Sequence, residues 1–101
     1  MSGAAAPAPL PGRDIVVAAA AWPVEWHASA DGFAAKLDRW MGEAAAAGAD
    51  LLVFPEYAGL EAVLTGPPAP ADAAEWCRRA AAAAPGYLEL CSGLARRHAV
   101  H

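Results

Sequence analysis

The run "DLLVF" at 50–54 ends at Pro55, and Glu56 follows immediately. Uninterrupted apolar side chains are typical of a strand that is covered on both faces, as in a parallel sheet under helices. Proline lacks an N–H and fixes its own φ, so Pro55 ends the hydrogen-bonded ladder and turns the next side chain out of the sheet. The run therefore predicts that Glu56 lies at the carboxyl end of a buried strand, where parallel α/β sheets bind their ligands.

The segment before this strand has the order of a βαβ unit. The run "DIVVAAAAW" at 14–22 is apolar after its first residue and predicts a first strand, also covered on both faces. Residues 31–48 have helical periodicity, with Ser29 or Asp31 able to cap the start and Gly48 able to end the helix in a left-handed conformation. Such a unit places its two strands side by side and parallel, joined by a right-handed crossover.

The predicted helix is amphipathic, which indicates that one face packs on the sheet. The residues expected on the buried face are Phe33, Leu37, Trp40, Met41, Ala44 and Ala45. The residues expected on the solvated face are Lys36, Asp38, Arg39 and Glu43.

Two further helices are predicted after a proline-rich loop. The first begins with a capping box, Asp72 with Glu75, and is stopped at Pro85-Gly86. The second is amphipathic, and Val100-His101 after it resembles the first step into a third strand. The expected bounds are 65–72 for the loop, 72–84 for the first of these helices and 87–98 for the second.

Composition excludes several classes of function. The formal net charge is -4, and the arginines that cluster form short pairs at helical positions, which argues against a nucleic-acid partner. Cys77 and Cys91 lack the spacing of a metal site or a disulfide framework, so neither a metal nor a cofactor is expected. The apolar stretch 15–22 is too short to span a bilayer and no positive run precedes it, so we expect a cytoplasmic protein without a membrane partner.

A carboxylate at the end of an apolar strand has a chemical use. Partial desolvation would raise the pKa of Glu56, as a general base working near neutral pH requires. A surface loop glutamate, or one that caps the following turn, fits the same residues. Tyr57 and Glu61 follow closely, and either could orient a substrate, hold Glu56 or simply pack in the turn.

The stretch "GADLLVFPEY" at 48–57, preceded by the helix "FAAKLDRWMGEAAAAG" at 33–48 and the opening strand, resembles the N-terminal part of the nitrilase superfamily of carbon–nitrogen hydrolases. The resemblance runs from about Ile15 to Glu61. It implies a four-layer αββα sandwich and a catalytic triad of glutamate, lysine and cysteine. Only the glutamate has a counterpart in this chain, at Glu56, as the general base.

Composition at the start of the chain and the resemblance after it together predict a division of the chain. Residues 1–13 are expected to be a disordered Ala/Pro-rich tail, and 14–101 the truncated N-terminal part of a carbon–nitrogen hydrolase domain. The full-length enzyme would act on a small amide, nitrile or carbamoyl substrate and would be a homo-oligomer. The fragment alone, without the nucleophile and the lysine, is expected to be inactive. The alternative is a non-catalytic interaction or remnant domain in which Glu56 is incidental.

The remaining candidates are expected to be structural. Cys77 and Cys91 lie within predicted helices and are interpreted as small buried hydrophobes. Lys36 is interpreted as a solvated helix residue, and the three histidines have no spacing that suggests a metal or a relay. The tryptophans are expected to pack, although Trp22 or Trp26, on the loop after the first strand, could reach the rim of a site.

Overall fold

The computed structural model describes Gly12, residues 14–66 and residues 72–101. The expected disordered tail 1–13, apart from Gly12, lies outside these ranges, as do residues 67–71 of the proline-rich loop. In chain order the elements are strand β1 (Val17–Ala19), helix α1 (Ala30–Ala46), strand β2 (Leu51–Val53), a 3₁₀ helix (Glu56–Val63) and helix α2 (Ala73–His98). The fold is a small mixed α/β arrangement, as expected for its class.

The two strands form a parallel sheet, which confirms the predicted β-α-β order. The register pairs Val17 with Leu51 and Ala19 with Val53. Each strand is only three residues long, shorter than the apolar runs that contain them. On the other edge of β2, the His101 N–H donates to the Asp50 carbonyl at 2.9 Å and the His101 carbonyl accepts from Leu52 N–H at 2.8 Å. This is the bonding pattern of a parallel neighbour at a single residue, and it lies where the sequence predicts the first step into a third strand.

The sheet is covered on one face only, which differs from the expectation of burial on both. Val17, Leu51 and Val53 are 57%, 38% and 48% exposed. Leu52 points to the opposite face and packs against the core. The reason is that the helices converge on one core, and nothing among the described residues packs on the other face. The core comprises Trp22, Phe33, Leu37, Met41 and Ala58.

Helix α1 ends as its sequence predicts. Gly48 has a φ of +94°, in the left-handed region that glycine adopts without steric cost. Its N–H donates to the Ala45 carbonyl at 3.0 Å, and the Ala49 N–H donates to the Ala44 carbonyl at 3.0 Å. These two bonds form a Schellman motif that satisfies carbonyls at the end of the helix. Ser29 occupies the N-cap position, without a side-chain capping bond.

Helix α2 is continuous from Ala73 to His98, so the predicted break at Pro85-Gly86 is wrong. Its start is as predicted, because the Asp72 carboxylate accepts a hydrogen bond from Glu75 N–H at 2.8 Å. Pro85 removes one N–H from the helix, but it is exposed and alanines of high helix propensity precede it. Beyond Pro85 the helix is held against the core by Tyr87, Leu90, Cys91 and Leu94. No helix of the described part of the chain has both the length and the apolar character needed to cross a membrane.

A proline inside a helix lowers the stability of the fold, and its substitution can restore that stability. Pro85→Ala should increase the free energy of unfolding by about 2 kcal/mol, since proline is about 3 kcal/mol worse than alanine in a helix and about 1 kcal/mol of this is offset in the unfolded chain. Urea titration followed by circular dichroism measures the change. Gly86→Ala is the matched control, with open space around its new Cβ and an expected gain of about 0.5–1 kcal/mol. A loss of stability in Pro85→Ala would show that packing requires the proline.

Candidate functional site

Glu56 lies where the sequence places it, directly after β2. Pro55 has extended backbone angles (φ -61°, ψ 154°) and leads the chain out of the strand. Glu56 is then the first residue of the 3₁₀ helix. Its carboxylate therefore lies at the carboxyl end of the parallel sheet, next to the N-terminal end of a short helix, where a negative charge is favoured.

The Glu56 side chain is exposed, which differs from the partial desolvation that we expected. Desolvation would require a surface that packs over the end of β2. None of the described residues provides that surface, and none of their side chains forms a hydrogen bond with the Glu56 carboxylate. Concave surfaces occur elsewhere, including one of about 510 Å³ beside Arg96 and His101 and one of about 380 Å³ beside Phe33 and Tyr87.

The 3₁₀ helix buries one face and exposes another. Residues three apart are aligned in a 3₁₀ helix, so Ala58 and Glu61 share a face. Both are buried, with 1% and 0% of their surface exposed. Glu56 is two residues from Ala58, or about two thirds of a turn, and so faces elsewhere. An exposed carboxylate and a fully buried one thus occur on the same short helix.

Three donors converge on the buried carboxylate of Glu61. The Trp22 indole Nε1–H donates to Oε1 at 2.7 Å, and the Lys36 Nζ donates to Oε2 at 2.9 Å. The His27 Nε2 lies 2.6 Å from Oε2. A carboxylate can only accept, so the hydrogen of this contact belongs to His27. We call Glu61 with Trp22, His27 and Lys36 the Glu61 cluster.

Lys36 is buried, with 3% of its surface exposed, so its assignment to the solvated face is wrong. Its ammonium group has three donors and three acceptors around it. These are the Glu61 carboxylate, the Glu25 carboxylate at 2.9 Å and the Pro23 carbonyl. The ammonium also lies 4.2 Å from the centre of the Trp22 ring, within cation–π distance. Lys36 donates hydrogen bonds to Glu61 and to the Pro23 carbonyl and forms an ion pair with Glu25, so its ammonium group is bound within the fold.

The pKa of the Glu61 carboxyl reflects these contacts. Burial alone would raise the pKa, because it disfavours the charged form. The hydrogen bonds from His27, Lys36 and Trp22, with the positive charge of Lys36, outweigh burial and hold the pKa below its usual value of 4.5. Glu61 is therefore an ionised structural carboxylate with both oxygens engaged, and is unsuited to accept a proton from a substrate.

The spacing of residues along α1 indicates the buried position of Lys36, although the charge of its side chain favours the solvated face. Lys36 lies three residues after Phe33 and four before Trp40, so it falls within the apolar stripe of α1. It is also the only lysine in the chain. A lone lysine within an apolar stripe indicates a buried carboxylate partner, since buried charges are normally paired.

The other candidates occupy varied positions. Cys77 is exposed, so its interpretation as a buried hydrophobe is wrong; it lies on the N-terminal half of α2, away from the core. Cys91 is partly buried beside Tyr87, and burial raises the pKa of its thiol.

The Trp26 indole is partly exposed and donates to the Gly66 carbonyl at 2.5 Å. His98 contacts the Asp38 carboxylate at 2.5 Å, and this hydrogen bond is the main cause that lowers the pKa of Asp38.

No group of three or more His, Cys, Asp or Glu side chains is arranged to hold a metal ion within 14–66 and 72–101. The chain matches no family model, no curated protein and no solved structure. The site must therefore be interpreted from its own residues.

Removal of one member of the buried ion pair should destabilise the fold. Lys36→Met leaves the Glu61 carboxylate buried without its cation, which typically costs about 3–5 kcal/mol. Arg39→Met is the control, an exposed cation on the same helix with an expected effect within about 0.5 kcal/mol. Urea unfolding of both variants measures the difference. Equal effects would contradict the assignment of Lys36 to the core.

The lowered pKa of Glu61 predicts acid sensitivity. A carboxyl whose pKa is lower in the folded state stabilises the fold above its unfolded pKa, and this stabilisation is lost as pH falls through the folded pKa. The free energy of unfolding should therefore fall as pH drops below about 4.5. The paired variant Lys36→Met/Glu61→Gln keeps every other titrating group, so its slope should be shallower by up to one proton, about 1.4 kcal/mol per pH unit. Identical slopes would show that Glu61 has the same pKa in the folded and unfolded states.

Proposed function

We propose that residues 14–101 are the N-terminal part of a carbon–nitrogen hydrolase domain of the αββα type, in which Glu56 is the general base. The observation that carries the proposal is the position of Glu56 at the carboxyl end of β2, in a parallel β-α-β unit. The stretch 48–57 that resembles the nitrilase superfamily contains this strand and its Pro-Glu ending. An exposed carboxylate on a short helix is accessible to a reacting group.

In the proposed reaction, Glu56 takes the proton from a cysteine thiol. The resulting thiolate attacks the carbon of an amide, nitrile or carbamoyl substrate. An amide or carbamoyl nitrogen leaves as an amine or ammonia with the proton from Glu56, which gives a thioester, whereas a nitrile gives a thioimidate that takes this proton and that water converts to the thioester with release of ammonia. Water then hydrolyses the thioester and restores the thiol. A lysine stabilises the charge that develops on the substrate. By the resemblance, the cysteine and this lysine belong to a later part of the domain. The buried Lys36 is not that lysine, because it is only 3% exposed and its ammonium group is paired with two carboxylates.

A general base that works near neutral pH benefits from partial exclusion of water. Glu56 is exposed among the described residues, so in the proposed enzyme other parts of the domain cover it. The apolar sheet face at Val17, Leu51 and Val53 supports the same view, since a sandwich packs a second layer on such a face. The same exposed face favours the alternative function, a non-catalytic interaction domain, in which this face would bind a partner.

Substitution of Glu56 tests the proposal in the protein expressed from the complete gene. Glu56→Gln keeps the shape of the side chain but removes the proton acceptor, so turnover should fall about a hundredfold to ten-thousandfold. Ammonia release from propionamide and propionitrile measures turnover, and urea unfolding checks that the variant folds. Unchanged turnover would contradict the role of Glu56 as the base, whereas a wild-type protein without turnover would favour the non-catalytic alternative.

The control for this experiment is Glu89→Gln, an exposed glutamate on α2 that should leave turnover unchanged. Glu61 is unsuitable as a control, because its carboxylate is buried against Lys36. Loss of turnover in Glu89→Gln equal to that in Glu56→Gln would show that the effect is not specific to Glu56.

A further inference from the structure

We propose that Glu61 is a positioning residue, which fixes the 3₁₀ helix and thereby holds Glu56 at the end of β2; this inference rests on the proposed role of Glu56 as the base. Glu61 does not touch the reacting atoms in this proposal. It acts through the backbone that it shares with Glu56, and the Glu61 cluster is the anchor.

The 3₁₀ helix needs such an anchor. Runs of 3₁₀ helix longer than about four residues are uncommon because their hydrogen bonds are poorly aligned. This one spans eight residues. Its own bonds include Ala58 N–H to the Pro55 carbonyl and, just beyond its end, Leu64 N–H to the Glu61 carbonyl, each at 3.0 Å. Contacts with other parts of the chain must supply the remaining stability.

The Glu61 carboxylate ties the 3₁₀ helix to two other elements. Lys36 belongs to α1, whereas Trp22 and His27 belong to the segment between β1 and α1. Because the donors approach from two different parts of the chain, a shift of the 3₁₀ helix along its axis would stretch several hydrogen bonds at once. The bonds are also shielded from water, since Glu61 and Lys36 are 0% and 3% exposed.

His27 holds the 3₁₀ helix and the residues after it through both its backbone and its side chain. Its backbone N–H donates to the Leu64 carbonyl at 2.9 Å, and its carbonyl accepts from Gly66 N–H at 3.0 Å. Its imidazole bonds the Glu61 carboxylate. The imidazole also lies against α1 at Gly32, where a Cβ would come within 3.1 Å of Nδ1. His27 therefore fixes the residues after the 3₁₀ helix with its backbone and the helix itself with its side chain.

Glu56 is the unburied end of this anchored segment. Pro55 holds one end of the 3₁₀ helix to β2, and the Glu61 cluster holds the middle. The backbone position of Glu56 is therefore determined, while its carboxylate stays accessible. A misplacement of about 1 Å in a catalytic group can cost about a hundredfold in rate, so this anchoring has a direct kinetic consequence.

A double-mutant cycle in the complete protein tests the inference, with ammonia release from propionamide and propionitrile as the assay. His27→Ala removes one donor to Glu61 without removing the buried ion pair, so the fold should persist. We expect kcat to fall about tenfold to a hundredfold with KM within about twofold. His27→Gln, which returns a donor near the Nε2 position, should recover most of the loss.

The combined variant Glu56→Gln/His27→Ala decides whether Glu61 acts through Glu56. If it does, the combined variant should be no slower than Glu56→Gln alone, because residues that act as a unit are not additive. Losses that multiply would overturn the positioning role while leaving Glu56 as the base. An unaffected Glu56→Gln variant would overturn both.

Amide hydrogen exchange measures how firmly the 3₁₀ helix is held, and it needs no substrate. His27→Ala should accelerate exchange at Ala58 and Leu64 at least about tenfold relative to Leu37 in the centre of α1. Equal protection in the variant and the wild-type protein would overturn the inference. If the wild-type protein releases no ammonia while this exchange result holds, the proposed function fails and the anchoring stands as a structural finding.

Discussion

The arrangement of the described residues depends on the hydrogen bonds and the ion pair that the buried Glu61 carboxylate forms. Removal of a carboxylate and an ammonium from water costs several kcal/mol for each ion, and only good geometry with further hydrogen bonds offsets that cost. Here Glu61 accepts from three side chains, and Lys36 donates to Glu61 and to the Pro23 carbonyl and forms an ion pair with Glu25. None of the described buried side-chain polar atoms lacks a partner. The cluster therefore joins α1, the segment before it and the 3₁₀ helix into one unit.

The aromatic residues complete this unit. Trp22 packs its ring against Phe54 and Trp40, with centroids 5.1 and 5.2 Å apart, while its indole nitrogen reaches Glu61. A single side chain thus belongs both to the apolar core and to the ionic cluster. The thin, alanine-rich composition of the chain explains why so much depends on it. Most of the core volume comes from a few large side chains around one polar centre.

The sequence predicts the local features well and the long-range pairing poorly. The βαβ order, the glycine end of α1 and the aspartate cap of α2 are all encoded within a few residues, so they can be read directly. The continuity of α2 cannot be predicted in this way. The helix-breaking effect of Pro85 is outweighed by the helix propensity of the residues before it and by the packing of the residues after it. The position of Glu56 can be predicted because it depends on the adjacent strand. The contacts of Glu61 cannot, because its donors lie 25, 34 and 39 residues away.

The burial of Lys36 has a consequence for chemical labelling. It is the only lysine, so the chain carries one side-chain amine, and that amine is buried and bound to Glu61, Glu25 and the Pro23 carbonyl. An acylating reagent should therefore react with Lys36 only slowly, because its side chain is 3% exposed. The slow acylation that does occur at Lys36 would then report each transient opening of the core. A routine surface reagent becomes, in this chain, a single-site probe of internal motion.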